Sequence, residues 1–128
     1  METNIRLNIG EFLDRMSISL HKVQKIGQES YPEFIRFCEE LLINIPNENF
    51  EEIIGGLREL YEVNGEIWNL ESDLRKGKER ELGLQEVGRR ALLIRDWNGK
   101  RITIQNKLIE KFGGFKNIKK DHASEKNV

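Results

Sequence analysis

Apolar residues recur every three or four positions along most of this chain. Between Leu57 and Arg75 the series Leu57, Leu60, Val63, Ile67, Leu70 and Leu74 falls on one seam of a helix, since 3.6 residues per turn align such positions. Upstream, Ile9, Leu13, Met16, Leu20 and Val23 keep the same alternation, with Glu11, Arg15, Ile18 and Lys22 as a neighbouring stripe. Phe34, Phe37, Cys38, Leu41, Leu42 and Ile45 form a third series, and Val87, Ala91, Ile94, Asn98, Arg101, Gln105, Leu108 and Phe112 a fourth.

Start and stop signals frame these series. Asn8 with Glu11 has the form of a capping box, so a first helix is expected from there to about Gly27, where a glycine can close it. Ser30, Pro32 and Glu33 signal a second start, and Pro46 a stop after Ile45. Asn49 with Glu52 forms a further capping box opening a long third helix, in which Gly55 and Gly56 imply either a bend or a close approach by another backbone. The stretch from Lys76 to Gly83 lacks an apolar face and reads as a turn, with the fourth helix running from about Leu84 to Phe112.

Residues 92–105 carry a competing signal. ALLIRDW and KRITIQN are partly β-branched runs flanking Asn98 and Gly99, a pair favoured in two-residue hairpins. A lone hairpin is marginal without a third strand, and no other segment supplies one. The helical seam continues on both sides of the pair, so helix is the expectation. The fold class is all-α: an antiparallel bundle of about four helices, the last two long. Residues 1–112 are expected to form one bundle domain, and 113–128 a polar, mobile tail whose Phe115 and Ile118 dock back onto it.

The candidate chemistry lies beside the seams. Asn64, Trp68, Glu71 and Arg75 are spaced four, three and four, hence on one face, and Asn98, Arg101 and Gln105 are consecutive polar members of the fourth seam. If the two long helices pack antiparallel about residue 80, Glu71 falls opposite Arg89 or Arg90, Asn64 near Trp97 and Asn98, and Arg101 near Tyr61 or Glu59. The first helix adds Glu11, Asp14, Arg15 and Lys22 to the groove that remains. The candidate ligand-binding set is therefore Arg15, Lys22, Asn64, Trp68, Glu71, Arg75, Arg90, Asn98, Arg101 and Gln105. Guanidinium groups grip carboxylate and phosphate through paired donors, which points to an anionic small molecule. The plain alternative is a set of ion pairs that fixes helix register. Trp68 and Trp97 read as packing anchors more readily than as the walls of a ligand site.

Composition narrows the field. The chain of 128 residues suits one domain; 38% of it is hydrophobic and 34% charged, which is polar but sufficient to close a bundle. A single cysteine, Cys38, excludes an internal disulfide and reads as a small core residue in a reducing compartment. His21 and His122 are too isolated for a metal or a triad and read as surface residues; no motif calls for a metal or a cofactor, and none for catalysis. No apolar run approaches a membrane span, and the first residues lack a signal-peptide pattern, so a cytoplasmic location is expected. Residues 100–128 carry eight Lys/Arg against three Asp/Glu, but these are interleaved and without stacking aromatics, which disfavours nucleic acid.

The pattern resembles a family of short helical bacterial proteins of unassigned function, often encoded among glycosyltransferase and surface-polysaccharide genes. The resemblance is carried by IGEFLDR at 9–15 with Ile18 and Lys22, LYEVNGEIWNLESDLR at 60–75, and Ala91, Ile94, Asn98, Arg101 and Lys107. It implies a helical domain with a continuous helix through Asn98, and no assigned reaction.

Three functional expectations follow. The leading one is a non-catalytic helical protein acting through protein contacts, as a dimer or with another protein, accessory to bacterial glycan or lipopolysaccharide assembly. The second is a small helical enzyme or binder of an anionic metabolite, a sugar nucleotide or dicarboxylate, using Arg, Lys and Gln as chorismate mutases do; Arg15, Lys22, Arg75, Arg90, Arg101 and Gln105 would then converge. The third is nucleic-acid binding through the basic end.

Overall fold

The computed structural model describes residues 7–44 and 49–113, and every element among them is helical. Helix α1 spans Ile9–Lys25, a short 3-10 turn Gln28–Ser30, α2 Tyr31–Asn44, α3 Phe50–Arg75, α4 Glu79–Leu82 and α5 Leu84–Phe112. The all-α bundle expected from the periodicity is thus present. The helix continues unbroken through Asn98–Gly99, because the apolar seam on either side outweighs the local turn preference of that pair.

Capping follows the sequence at α1 and departs from it at α3. The Asn8 side chain accepts from the Glu11 amide at 2.8 Å, satisfying one first-turn donor. Asn49 makes no such side-chain bond, so that capping box does not form. After α1, the Gly27 backbone takes φ 132°, a conformation open to glycine, and turns the chain into α2. The expected turn at 76–83 contains one helical turn of its own, α4. Ile45, Pro46, His122 and the tail from 114 lie outside the described residues.

Helix α1 is the central element: α3 and α5 pack on it and on each other, and α2 packs on it from outside. Contacts from Glu52 to Lys111, from Gly56 to Leu108 and from Asp73 to Arg90 show that α5 runs against α3. Those from Gly10 to Gln105 and from Asp14 to Arg101 show that α5 also runs against α1, so α1 and α3 run in the same sense. The core comprises Ile9, Phe12, Leu13 and Met16 of α1, Leu41 of α2, Ile53 and Leu60 of α3, and Leu108 of α5. Phe34, Phe37 and Cys38 pack against it from α2, with Phe37 edge-on to Phe12 at 5.3 Å between ring centres.

Two glycines set the helix spacing. A Cβ on Gly10 would lie 2.6 Å from the backbone oxygen of Gln105, so α1 and α5 touch main chain to side-chain-free main chain. A Cβ on Gly56 would lie 2.8 Å from Leu108, so the close neighbour expected at the Gly55–Gly56 pair is a leucine side chain and not a backbone. Along α5, Ala91 is exposed, a departure from the inward seam expected for it; Val87, Ile94, Asn98, Arg101, Gln105 and Phe112 are half-buried and Leu108 buried.

Candidate functional site

The polar positions sort into three groups, stacked along the bundle. At its centre is Asp14, whose side chain is 5% exposed. Arg101 donates to it through Nε, at 3.0 Å to Oδ1 and 3.1 Å to Oδ2, and through Nη2, at 2.8 Å to Oδ2. Its remaining Nη1 donates to Asn98 Oδ1 at 3.2 Å, one turn before it on α5. From α3, Asn64 Nδ2 donates to Asp14 Oδ1 and to Ser17 Oγ, both at 2.8 Å, and Ser17 Oγ donates in turn to the Asp14 carbonyl at 2.7 Å. A carboxylate taken out of water requires such compensation, and here α3 and α5 supply it through Asn64 and Arg101. The arrangement fixes both the rotation of α1 and its register against α3 and α5.

Two turns further along α1 is His21, 3% exposed, which corrects the surface position expected for it. Its ring lies parallel to Tyr61 at 4.0 Å and 6.1 Å from the Trp68 ring. Nε2 is 2.7 Å from the Tyr61 carbonyl, an acceptor only, so Nε2 carries the proton and donates. Nδ1 is then the acceptor for Lys25 Nζ at 3.1 Å. Burial lowers the His21 pKa; the bond to the Tyr61 carbonyl opposes this, and the Lys25 charge adds to it. The imidazole is held neutral. Gly65 leaves the room it needs, since a Cβ there would lie 3.0 Å from its Cε1. Over Trp68, which is half-buried, lie the Arg75 guanidinium at 4.6 Å and the Lys25 ammonium at 5.8 Å from the ring centre, and Arg75 pairs with Glu71 at 3.3 Å.

The third group closes the far end of the α3–α5 hairpin. Arg90, 18% exposed, donates to Glu86 Oε2 at 2.7 Å and to Asp73 Oδ2 at 3.3 Å, and Arg89 binds Glu86 through two donors at 2.9 and 2.8 Å. These bonds, Arg89 first and Arg90 second, lower the Glu86 pKa to about 2.

Of the candidates proposed from sequence, Asn64, Asn98 and Arg101 come together, but around Asp14 rather than around Tyr61 or Glu59. Glu71 meets Arg75 on its own helix, and the partner of Arg90 across the hairpin is Asp73, two residues further along α3 than expected. Lys22 reaches Glu33 of α2 at 3.9 Å, and Arg15 is exposed. Gln105 is half-buried where α5 crosses Gly10, and Trp97 carries Lys100 at 4.3 Å, away from the Trp68 group. Arg75, Arg90 and Arg101 each sit on a different carboxylate and do not converge. A groove of about 220 Å³ opens between α3 and α5 near Gly56, Lys107, Leu108 and Phe112, and none of the ten candidates lines it.

Sequence reasoning named Asp14 only as one of four polar residues that helix one adds to the groove, and missed Ser17 and His21 as members of these groups. Asp14 and Ser17 flank the Met16 seam, and His21 follows Asp14 and Ser17 at intervals of three and four, a spacing that could have shown them on one buried face.

Among the described residues no group of His, Cys, Asp and Glu is placed to hold a metal ion, and no helix is long and apolar enough to cross a membrane. Comparison with protein-family models, curated proteins and solved structures finds no match to the chain.

Proposed function

We propose that this protein works through protein contacts, with a second copy of itself or another protein, and that its polar interior serves to hold the contacting faces in place. One observation carries the reading: buried polar side chains bind one another while large apolar ones face outward. On α2, only Leu41 is buried, and Tyr31, Ile35, Leu42 and Ile43 are 52%, 44%, 73% and 77% exposed. On α5, Leu92 and Ile102 are 55% and 53% exposed. Scattered exposed leucines are ordinary in any protein, but repeated ones on the outer faces of two helices favour association. A role accessory to bacterial glycan assembly comes from the family resemblance over residues 9–110 alone and belongs to the same proposal.

The rival, an anionic ligand, draws its support from Lys25 and Arg75 at the Trp68 ring. Sedimentation velocity of the full chain from micromolar to near-millimolar concentration separates the two when combined with a thermal-shift panel of sugar nucleotides and dicarboxylates. Concentration-dependent mass with no ligand response supports protein contacts. A monomer at every concentration that captures no protein partner, with a melting point raised by one ligand and insensitive to it in Arg75→Ala, overturns them in favour of the ligand.

A further inference from the structure

The outward face of α5 is a single stripe. Leu84, Gly88, Leu92, Arg95, Gly99 and Ile102 follow one another at intervals of four, four, three, four and three, and all six are exposed. Two features of it have no use among the described residues of one copy. Gly88 and Gly99 sit mid-helix, where glycine weakens the helix relative to alanine, and a Cβ on either would meet nothing within 4 Å. Arg95 and Asp96 are 72% and 62% exposed and share one contact at 3.5 Å, so both charges remain available to another surface.

Its stretch from Leu92 to Ile102 is complementary to itself when reversed. About a two-fold axis beside Trp97, Leu92 meets Ile102 of the second copy and Arg95 meets Gly99, each twice. The missing side chain of Gly99 leaves a hollow through which the guanidinium of Arg95 reaches Asp96 of the second copy, one turn away. Large faces large at the two ends, and a cation crosses a gap to an anion at the centre. An axis placed at Arg95 instead would set the two guanidiniums against each other. We propose, building on the protein-contact reading above, that the occupant of this face is a second copy of the chain, packed antiparallel α5 to α5 as an isologous pair.

The test is sedimentation equilibrium on the full chain and its variants, with far-UV circular dichroism to confirm unchanged helix content. Arg95→Asp and Asp96→Arg each weaken dimerisation about tenfold or more, because each brings like charges together at both symmetric positions, and the double variant R95D/D96R restores it. Gly99→Leu leaves the helix intact, as none of the described residues lies within 4 Å of a Cβ there, and abolishes the dimer. Single variants that weaken without rescue in the double variant overturn the antiparallel register. A dimer unaffected by all three but lost in L42E/I43E moves the interface to α2 and overturns this face while leaving the protein-contact reading in place. A wild-type chain that stays monomeric overturns self-pairing altogether, and failure to capture any other protein then overturns that reading too.

Discussion

Replacing Arg101 with methionine tests how much the centre of the bundle depends on one ion pair. Methionine keeps most of the side-chain length and removes three of the bonds to Asp14, whose carboxylate remains 95% out of water with only Asn64 bound to it. Stripping one partner from a buried pair costs on the order of 3–5 kcal/mol. Arg101 is itself 30% exposed, so water replaces part of what is lost and the lower end, about 3 kcal/mol, is expected. For a structured region of this size, about 1 kcal/mol shifts Tm by roughly 4–8 °C, giving a drop of at least about 12 °C. The assay is urea unfolding followed by far-UV circular dichroism, completed as a double-mutant cycle with Asp14→Leu and D14L/R101M. The double variant buries no unpaired charge and should lose less than the sum of the singles, with a coupling of about 2–3 kcal/mol. A loss below about 1 kcal/mol in Arg101→Met, or additive singles, would place this pair with ordinary surface ion pairs and refute the reasoning.

Other outcomes are equally specific. Gly10→Ala forces α5 away from α1, since its Cβ would meet the Gln105 main chain, and should cost about 1–3 kcal/mol on the same unfolding assay; a neutral result contradicts the close crossing. The His21 pKa is lowered by burial, so its neutral ring adds stability that is complete above the unfolded value of about 6.5 and is lost as pH falls through the lower folded value. Wild type should therefore lose stability relative to His21→Gln on acidification from about pH 8 to pH 5, and parallel curves would disprove the buried neutral state. Carbon-detected NMR titration should find the Glu86 carboxylate titrating at about 2, and moving upward in Arg89→Gln; a midpoint in the ordinary glutamate range would show that the clamp does not persist in solution.

Much of the fold was legible because four apolar seams with three-four spacing admit one economical arrangement, and because the seam through 92–105 overrode the hairpin signal of Asn98–Gly99. The polar centre was legible only in part. Pairing α3 with α5 across their shared turn placed Asn64 and Asn98 correctly, since antiparallel neighbours joined by a short loop have a register that can be counted. The position of α1 along that hairpin is set instead by Gly10 against Gln105 and by Asp14 against Arg101, contacts 95 and 87 residues apart in sequence that no local pattern counts. Arg101 was therefore assigned to α3 when its carboxylate is on α1. His21 looked isolated for the same reason: its partners Tyr61, Gly65 and Trp68 lie on another helix.

The central claim is that the polar interior holds the helices while the outer apolar faces make the contacts, and a dilution series of nitrogen–proton correlation spectra on the full chain tests it most directly. Resonances that move with concentration should come from the outward residues of α2 and α5, with the Nε–H of Arg101 and the side-chain amide of Asn64 unmoved. Spectra that do not change on dilution, together with shifts at Arg101 and Asn64 when a small anion is added, would contradict it.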